Sequence, residues 1–178
     1  MRKALFLILW SILPLSLLAG TTGVAQDVKV HQVYNEQSQE IDESKIMVYI
    51  DESNEKEFDY IQSVPDNFYR PLSELTQRST GRTYWLKLRI QNTTGQKMSF
   101  MLFTGINSLE TIYYIRKTRV SERKTGYLTA ANDREIPLGY DSKARLDIDS
   151  REEMIVLVRV LNIDNFSPRF DFRLKSYT

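Results

Sequence analysis

Residues 84–94 alternate apolar and polar side chains. The side chains best placed for ligand chemistry stand at alternate positions of this segment: Trp85, Lys87 and Arg89. Alternate residues of a β-strand project from the same face of a sheet. An indole on such a face can stack on a sugar ring while neighbouring cations donate hydrogen bonds to hydroxyls. The pattern therefore predicts a ligand-binding face. The alternative is that Trp85 packs beneath a loop or fills the second side of a sandwich.

Tyr69, Arg70 and Tyr113 are weaker candidates for the same role, because such residues also serve as ordinary packing or rim surface. His31 is the only histidine and lies in a polar segment, which argues against a histidine metal centre or a Ser-His-Asp triad. The chain has no cysteine and no glycine-rich phosphate loop. We expect a binding protein without enzyme activity, metal or cofactor. A carboxylate pair of the glycosidase type is the enzymatic alternative.

Two charged patterns leave alternatives open. A basic run spans residues 116–124 and can meet a phosphate, an acidic glycan or a lipid headgroup, although Glu122 interrupts it and a solvated hairpin is the commoner explanation of such a run. Asp147 and Asp149, with Asp141 and Asp164 in nearby turns, can in principle hold a structural calcium ion. Their spacing does not follow a dedicated calcium loop, so surface carboxylates are the simpler interpretation.

The amino-terminal residues have the order of a secretory signal. Arg2 and Lys3 precede an apolar run over residues 4–18, and the small residues Gly23 and Ala25 suit a cut before Gln26. The run of about 15 residues is short for an uncleaved membrane anchor, which needs roughly 20. Without these residues the chain carries 22 basic and 23 acidic residues, a net charge of −1, which argues against nucleic acid as a partner.

The exported chain is expected to form one domain. We predict a signal peptide at 1–25, a polar arm at 26–44 and a β-sandwich at 45–178. Strand signals recur at short spacing between turn signals, which is typical of an all-β antiparallel sandwich with about eight strands. The predicted strands are 45–50, 83–91, 98–103, 111–117, 126–129, 145–149, 154–161 and 169–175.

The faces of three strands can be assigned from residue alternation. Tyr84, Leu86, Leu88 and Ile90 should face the core. In the last strand the apolar set at 170, 172 and 174 should do so. Residues 155–158 are apolar at every position, which predicts a central strand that protein covers on both faces.

The strand Tyr84-Trp85-Leu86-Lys87-Leu88-Arg89-Ile90-Gln91-Asn92 resembles the Tyr-Trp-Leu-Arg-apolar strand of a known family. That family is the type 2 extracellular sensing domain of bacterial seven-transmembrane receptors with diverse intracellular signalling modules. The surrounding segments match in order: 46–50 and 68–72 precede the strand, and 109–115, 126–127 and 155–160 follow it. The resemblance covers roughly residues 39–175.

The resemblance implies a jelly-roll sandwich similar to carbohydrate-binding modules, located in the periplasm or outside the cell. Its ligand would be a glycan or another small molecule, and its partner the membrane helices of the receptor. Since no membrane helix follows in residues 26–178, we expect either a fragment of a longer receptor or a secreted version whose partner is another chain. The alternative function is a structural or protein-interaction module of a surface assembly with no small ligand.

Overall fold

The computed structural model describes residues 29–137 and 139–177. The predicted signal peptide lies outside these residues. The described residues form eleven strands and one short α-helix. The strands are β1 (Val30–Val33), β2 (Gln39–Glu40), β3 (Ile46–Asp51), β4 (Arg70–Pro71), β5 (Thr83–Asn92), β6 (Met98–Ile106), β7 (Leu109–Ile115), β8 (Val120–Thr125), β9 (Ser142–Ile148), β10 (Glu153–Leu161) and β11 (Arg169–Ser176). The helix α1 spans Phe58–Ser63, and single 3₁₀ turns lie at Glu43–Lys45, Asp66–Phe68 and Leu72–Glu74.

The strands form two sheets, which confirms the predicted all-β, jelly-roll-like sandwich. The larger sheet has the order β4-β3-β5-β10-β7-β8, and the smaller one has the order β2-β11-β6-β9. Neighbouring strands are antiparallel except β1, which pairs in parallel with residues 89–92 of β5. From β5 onward the chain passes repeatedly between the sheets, so residues distant in sequence meet across the core.

The core lies between the two sheets and follows the predicted alternation. Tyr84, Leu86, Leu88 and Ile90 project into it from β5, and Phe170, Phe172 and Leu174 project into it from β11. All seven are buried. Burial of such side chains is the main stabilising contribution in a chain that has no cysteine for a disulfide.

The larger sheet is also covered on its outer face. Met47, Trp85 and Leu157 project outward and form a second cluster with Ile61 of α1 and the residues that follow it. We call this group, completed by Val64 and Tyr69, the outer cluster. The cover explains why β10 is apolar on both faces, as the sequence predicted.

One predicted strand is wrong and four short or charged strands were not predicted. Residues 126–129 form turns rather than a strand, because Gly126 has φ 98° and the chain reverses there. The strand lies just before it, at β8, which is an edge strand and therefore tolerates a charged sequence. The polar arm contributes β1 to the larger sheet and β2 to the smaller one, and the two-residue β4 pairs with β3.

We expect Gly105→Ala to destabilise the protein by more than about 2 kcal/mol. Gly105 has φ 128°, and a Cβ atom there would stand 1.7 Å from the backbone oxygen of Arg169 on β11. Gly95→Ala is the matched control, since nothing lies within 4 Å of its Cβ position and its change should stay within about 0.5 kcal/mol. Chemical denaturation measures both. Equal stability of the two variants would contradict the close approach of β6 and β11.

Candidate ligand-binding site

Four of the predicted ligand-binding residues lie together, but beneath α1. Trp85 is 0% exposed and Tyr69 is 4% exposed, both within the outer cluster. Tyr113 packs against the same cluster, with its ring 6.1 Å from the Trp85 ring and 4.4 Å from the Phe58 ring. Lys87 lies at the edge of the group, 2.5 Å from the Asp66 carboxylate. The alternation in β5 had put Trp85 and Lys87 on the same face, and the fold brings Tyr69 and Tyr113 to them from other segments.

The cover over Trp85 is held by specific contacts. Phe58 and Ile61 of α1 pack onto the outer cluster, and the Tyr69 hydroxyl donates to the backbone oxygen of Ile61. Burial raises the pKa of Tyr69 and of Tyr113, so both hydroxyls stay protonated at neutral pH. In this arrangement the Trp85 indole presents no free face to a ligand, which corresponds to the packing alternative left open by the sequence.

Arg70 and Arg89 lie away from this cluster. Arg70 is exposed on the edge strand β4. Arg89 lines a polar groove of about 930 Å³ at the end of β5, and its guanidinium is 3.8 Å from the Glu153 carboxylate. The structure therefore does not bring all six predicted residues into one site.

A different site lies at the opposite end of the sandwich, where three loops meet. The loops after β6, β8 and β10 surround a hollow of about 430 Å³, which we call the rim hollow. Its lining residues are Ile106, Tyr127, Tyr140, Phe166, Ser167 and Arg169. The Tyr140 ring is 78% exposed and the Phe166 ring is 72% exposed. Exposed aromatic rings around a concavity are typical of a binding surface.

Buried polar side chains hold these loops in place. Asn162 accepts a hydrogen bond from the backbone N–H of Ser108 at 2.9 Å, and the Ser108 hydroxyl donates to Asp164 at 2.9 Å. Asn107 accepts from the backbone N–H of Arg169 at 3.1 Å. Because a buried polar group is costly unless it is paired, these bonds fix the relative positions of the loops after β6 and β10.

Glu110 lies beneath this loop scaffold, between the two sheets, and is 3% exposed. Its two carboxyl oxygens contact the Thr104 hydroxyl and the Asn107 amide nitrogen. Thr104 also donates to the backbone oxygen of Ser142, so its hydroxyl oxygen can accept a hydrogen bond from a neutral Glu110. Removal from water raises the pKa of Glu110 to about 7. The hydrogen bonds of its carboxyl group favour the charged form and lower the pKa, but their effect is smaller.

Sequence reasoning missed the rim hollow because its aromatic residues stand in turns. Residues 139–142 and 164–168 read only as turn signals, and Tyr140 and Phe166 show no alternation with other apolar residues. The available signal was the placement of large aromatics inside two polar turns. Such residues gain nothing from exposure to water.

The aspartates considered for calcium do not assemble. Asp147 pairs with Arg145 at 3.0 Å on β9, whereas Asp164 belongs to the loops around the rim hollow. Among residues 29–137 and 139–177, no group of three or more His, Cys, Asp or Glu side chains is arranged to hold a metal ion.

We expect Trp85→Ala to lower the free energy of unfolding by about 3–5 kcal/mol, because it removes a fully buried indole from the outer cluster. Phe68→Ala is the control, since that ring is 65% exposed, and its effect should stay within about 0.5 kcal/mol. Urea denaturation measures both. An unchanged stability in Trp85→Ala would show that the indole is not a core residue.

Glu110 should make the protein less stable as the pH rises. The folded pKa of about 7 lies above the ordinary value of 4.5, so the folded protein keeps a proton that the unfolded chain loses in this window. The stabilising contribution is complete below pH 4.5 and is lost as the pH rises towards 7, by about 3 kcal/mol in total. In Glu110→Gln this decline should be absent, whereas exposed Glu122→Gln should retain it. Urea midpoints between pH 4 and pH 8 measure the profile, and an identical decline in Glu110→Gln would refute the assignment.

Comparison with known families gives a match over most of the chain. The model of the family described as 7TMR-DISM extracellular 2 matches residues 43–172, which include β3 to β10 and the first half of β11. Comparison with curated proteins gives no match. Within the described residues, no helix combines the length and apolarity needed to cross a membrane.

The family is one of extracellular sensory domains of receptors rather than of enzymes, and this places the domain outside the cytoplasmic membrane. The chain therefore belongs to the 7TMR-DISM extracellular 2 family, the type 2 extracellular domain of bacterial seven-transmembrane receptors that the sequence predicted.

Proposed function

We propose that this sensory domain binds a carbohydrate or a similar small polar molecule in the rim hollow and passes its occupancy to a membrane partner. The observation that carries the proposal is the pair of exposed rings, Tyr140 and Phe166, facing a hollow of about 430 Å³. Exposed aromatics on loops over a rigid sandwich are a common arrangement for ligand recognition.

The lining chemistry suits a sugar. Tyr140 and Phe166 offer ring faces for the C–H surfaces of a pyranose. Arg169 and Ser167 offer donors for its hydroxyls. The Arg169 side chain is exposed and has no hydrogen-bond or ion-pair partner within the described part of the chain, so it can bind a ligand without breaking an existing contact.

The position of the hollow suggests how occupancy could reach a partner. The loop that carries Phe166 leads directly into β11, which runs from Arg169 beside the hollow to Ser176 at the other end of the sandwich. A ligand that orders this loop would favour one arrangement of the strand and of whatever docks at its far end. We propose that the partner is a set of receptor membrane helices, in the same chain or another. We also propose that a signal peptide directs export of the domain and is then cleaved.

A second candidate function is a protein-interaction module with no small ligand. The observation in its favour is that Leu128 and Ile163, which do not line the rim hollow, are 49% and 61% exposed in the same group of loops. An apolar patch of this kind also suits a protein partner. The two functions differ in whether a sugar alone binds.

We expect neutral mono- and oligosaccharides to include a ligand that raises the melting temperature of the purified protein in a saturable manner. Calorimetric titration should then give the dissociation constant of this sugar. Tyr140→Ala and Phe166→Ala should each raise that constant by at least about fivefold, because each removes a stacking face. Both rings are exposed, so the variants should fold normally.

Tyr34→Ala is the matched control, since Tyr34 is 66% exposed and does not line the rim hollow. Its affinity should equal that of the unaltered protein. Binding that survives both rim substitutions would place the sugar elsewhere. Absence of any sugar binding, together with Phe166-dependent association with a protein, would favour the interaction module.

A further inference from the structure

At the end of the sandwich opposite the rim hollow, a small cleft adjoins the polar groove of Arg89 and shares Arg116, Arg119 and Asp149 with it. It has a volume of about 180 Å³ and lies where the edge strands of the two sheets, β8 and β9, come side by side. We call it the basic cleft. Its cationic lining residues are Lys97, Arg116, Arg119, Arg123 and Arg145. It includes part of the basic run that stood out in the sequence and that the rim hollow leaves unexplained.

The cations of the basic cleft are unequally neutralised. Four of them pair with carboxylates: Arg116 with Glu152, Arg123 with Glu135, Arg145 with Asp147, and Lys97 with Asp149. The fifth, Arg119, lies in the turn between β7 and β8. Its guanidinium has no ion-pair or hydrogen-bond partner among residues 29–137 and 139–177. Asp147 and Asp149 also line the cleft and pair with Arg145 and Lys97, so Arg119 is the lining cation that has no ion pair within the described residues.

The second observation is a buried hydroxyl. Tyr114 lines the cleft and is 3% exposed, and its hydroxyl has no hydrogen-bond partner in the described structure. Burial raises the pKa of Tyr114, so the hydroxyl remains a donor at neutral pH. An unpaired buried hydroxyl destabilises the folded state unless a ligand or solvent accepts its proton. Tyr114 and Arg119 both line the cleft.

We propose that the basic cleft binds the phosphate or sulfate group of a solute or headgroup. Arg119 pairs with two of its oxygens in the planar geometry that guanidinium groups favour, and the Tyr114 hydroxyl donates to a third. Arg119 supplies the positive charge for the anion, because the other four cations are already paired with carboxylates. The site is independent of the rim hollow, because it lies at the other end of the sandwich and shares no lining residue with it.

The proposal predicts saturable NMR shifts when the purified protein is titrated with sodium phosphate, compared with sodium chloride at matched ionic strength. The affected amides should lie in residues 114–123 and 145–149. Tyr114→Phe should raise the dissociation constant for phosphate about tenfold while leaving the melting temperature unchanged or higher, since the lost hydroxyl has no hydrogen-bond partner among the described residues.

Arg119→Ala should weaken phosphate binding at least as much. Arg70→Ala is its matched control, since Arg70 is an exposed cation on β4, at the opposite edge of the same sheet from β8. The control should bind phosphate as the unaltered protein does. Normal melting temperatures in both variants would separate loss of binding from loss of fold.

Co-sedimentation with phosphatidylglycerol vesicles distinguishes the two sources of the anion. Sedimentation that requires Arg119 assigns a lipid headgroup, and phosphate binding without sedimentation assigns a soluble phosphate or sulfate compound. The proposal is overturned if neither phosphate, sulfate nor the vesicles bind. It is equally overturned if binding persists unchanged in Tyr114→Phe and Arg119→Ala.

Discussion

The outer face of the larger sheet carries Trp85 and Leu157, and side chains of this size must be shielded from water. The helix α1 and the residues after it provide that shield, and they bury both side chains. A face that is closed in this way contributes stability but offers no accessible aromatic platform. The closed face supports the proposal that a ligand binds at an end of the sandwich, where loops rather than strands supply the side chains.

The loops around the rim hollow depend on a small polar network. Asn107 connects Glu110 below to the backbone of Arg169 at the start of β11, and Asn162 fixes the turn at Ser108. A hydrogen-bonded base of this kind limits the rearrangement that a ligand must induce, which favours affinity. It also connects the hollow to β11, and so to the far end of the sandwich. There, Arg119 marks a cleft of different chemistry, with cations in place of aromatic rings.

Alternation of residues was enough to predict the sandwich and the core face of β5, and the resemblance carried by residues 84–92 and their surroundings was enough to predict the family. It could not reveal α1 as a cover, because a six-residue helix over a sheet leaves no periodic signal longer than one or two turns. It missed β8, where Glu122 and Arg123 are tolerated only because the strand is at an edge. It also missed the rim hollow, since Phe166 is brought to its site by a long-range crossover between sheets that local sequence does not encode. Trp85 was assigned to the correct face, but whether that face is open depends on the cover.

The most direct test of where recognition takes place is to map a bound sugar by NMR shift perturbation on the purified, isotope-labelled protein. We expect the largest changes in residues 105–109, 126–141 and 162–169, with little change at Trp85 or in α1. Changes centred on Trp85, Tyr113 and α1 would contradict it, because they would show that the cover opens and that the sheet face, rather than the loop end, receives the ligand.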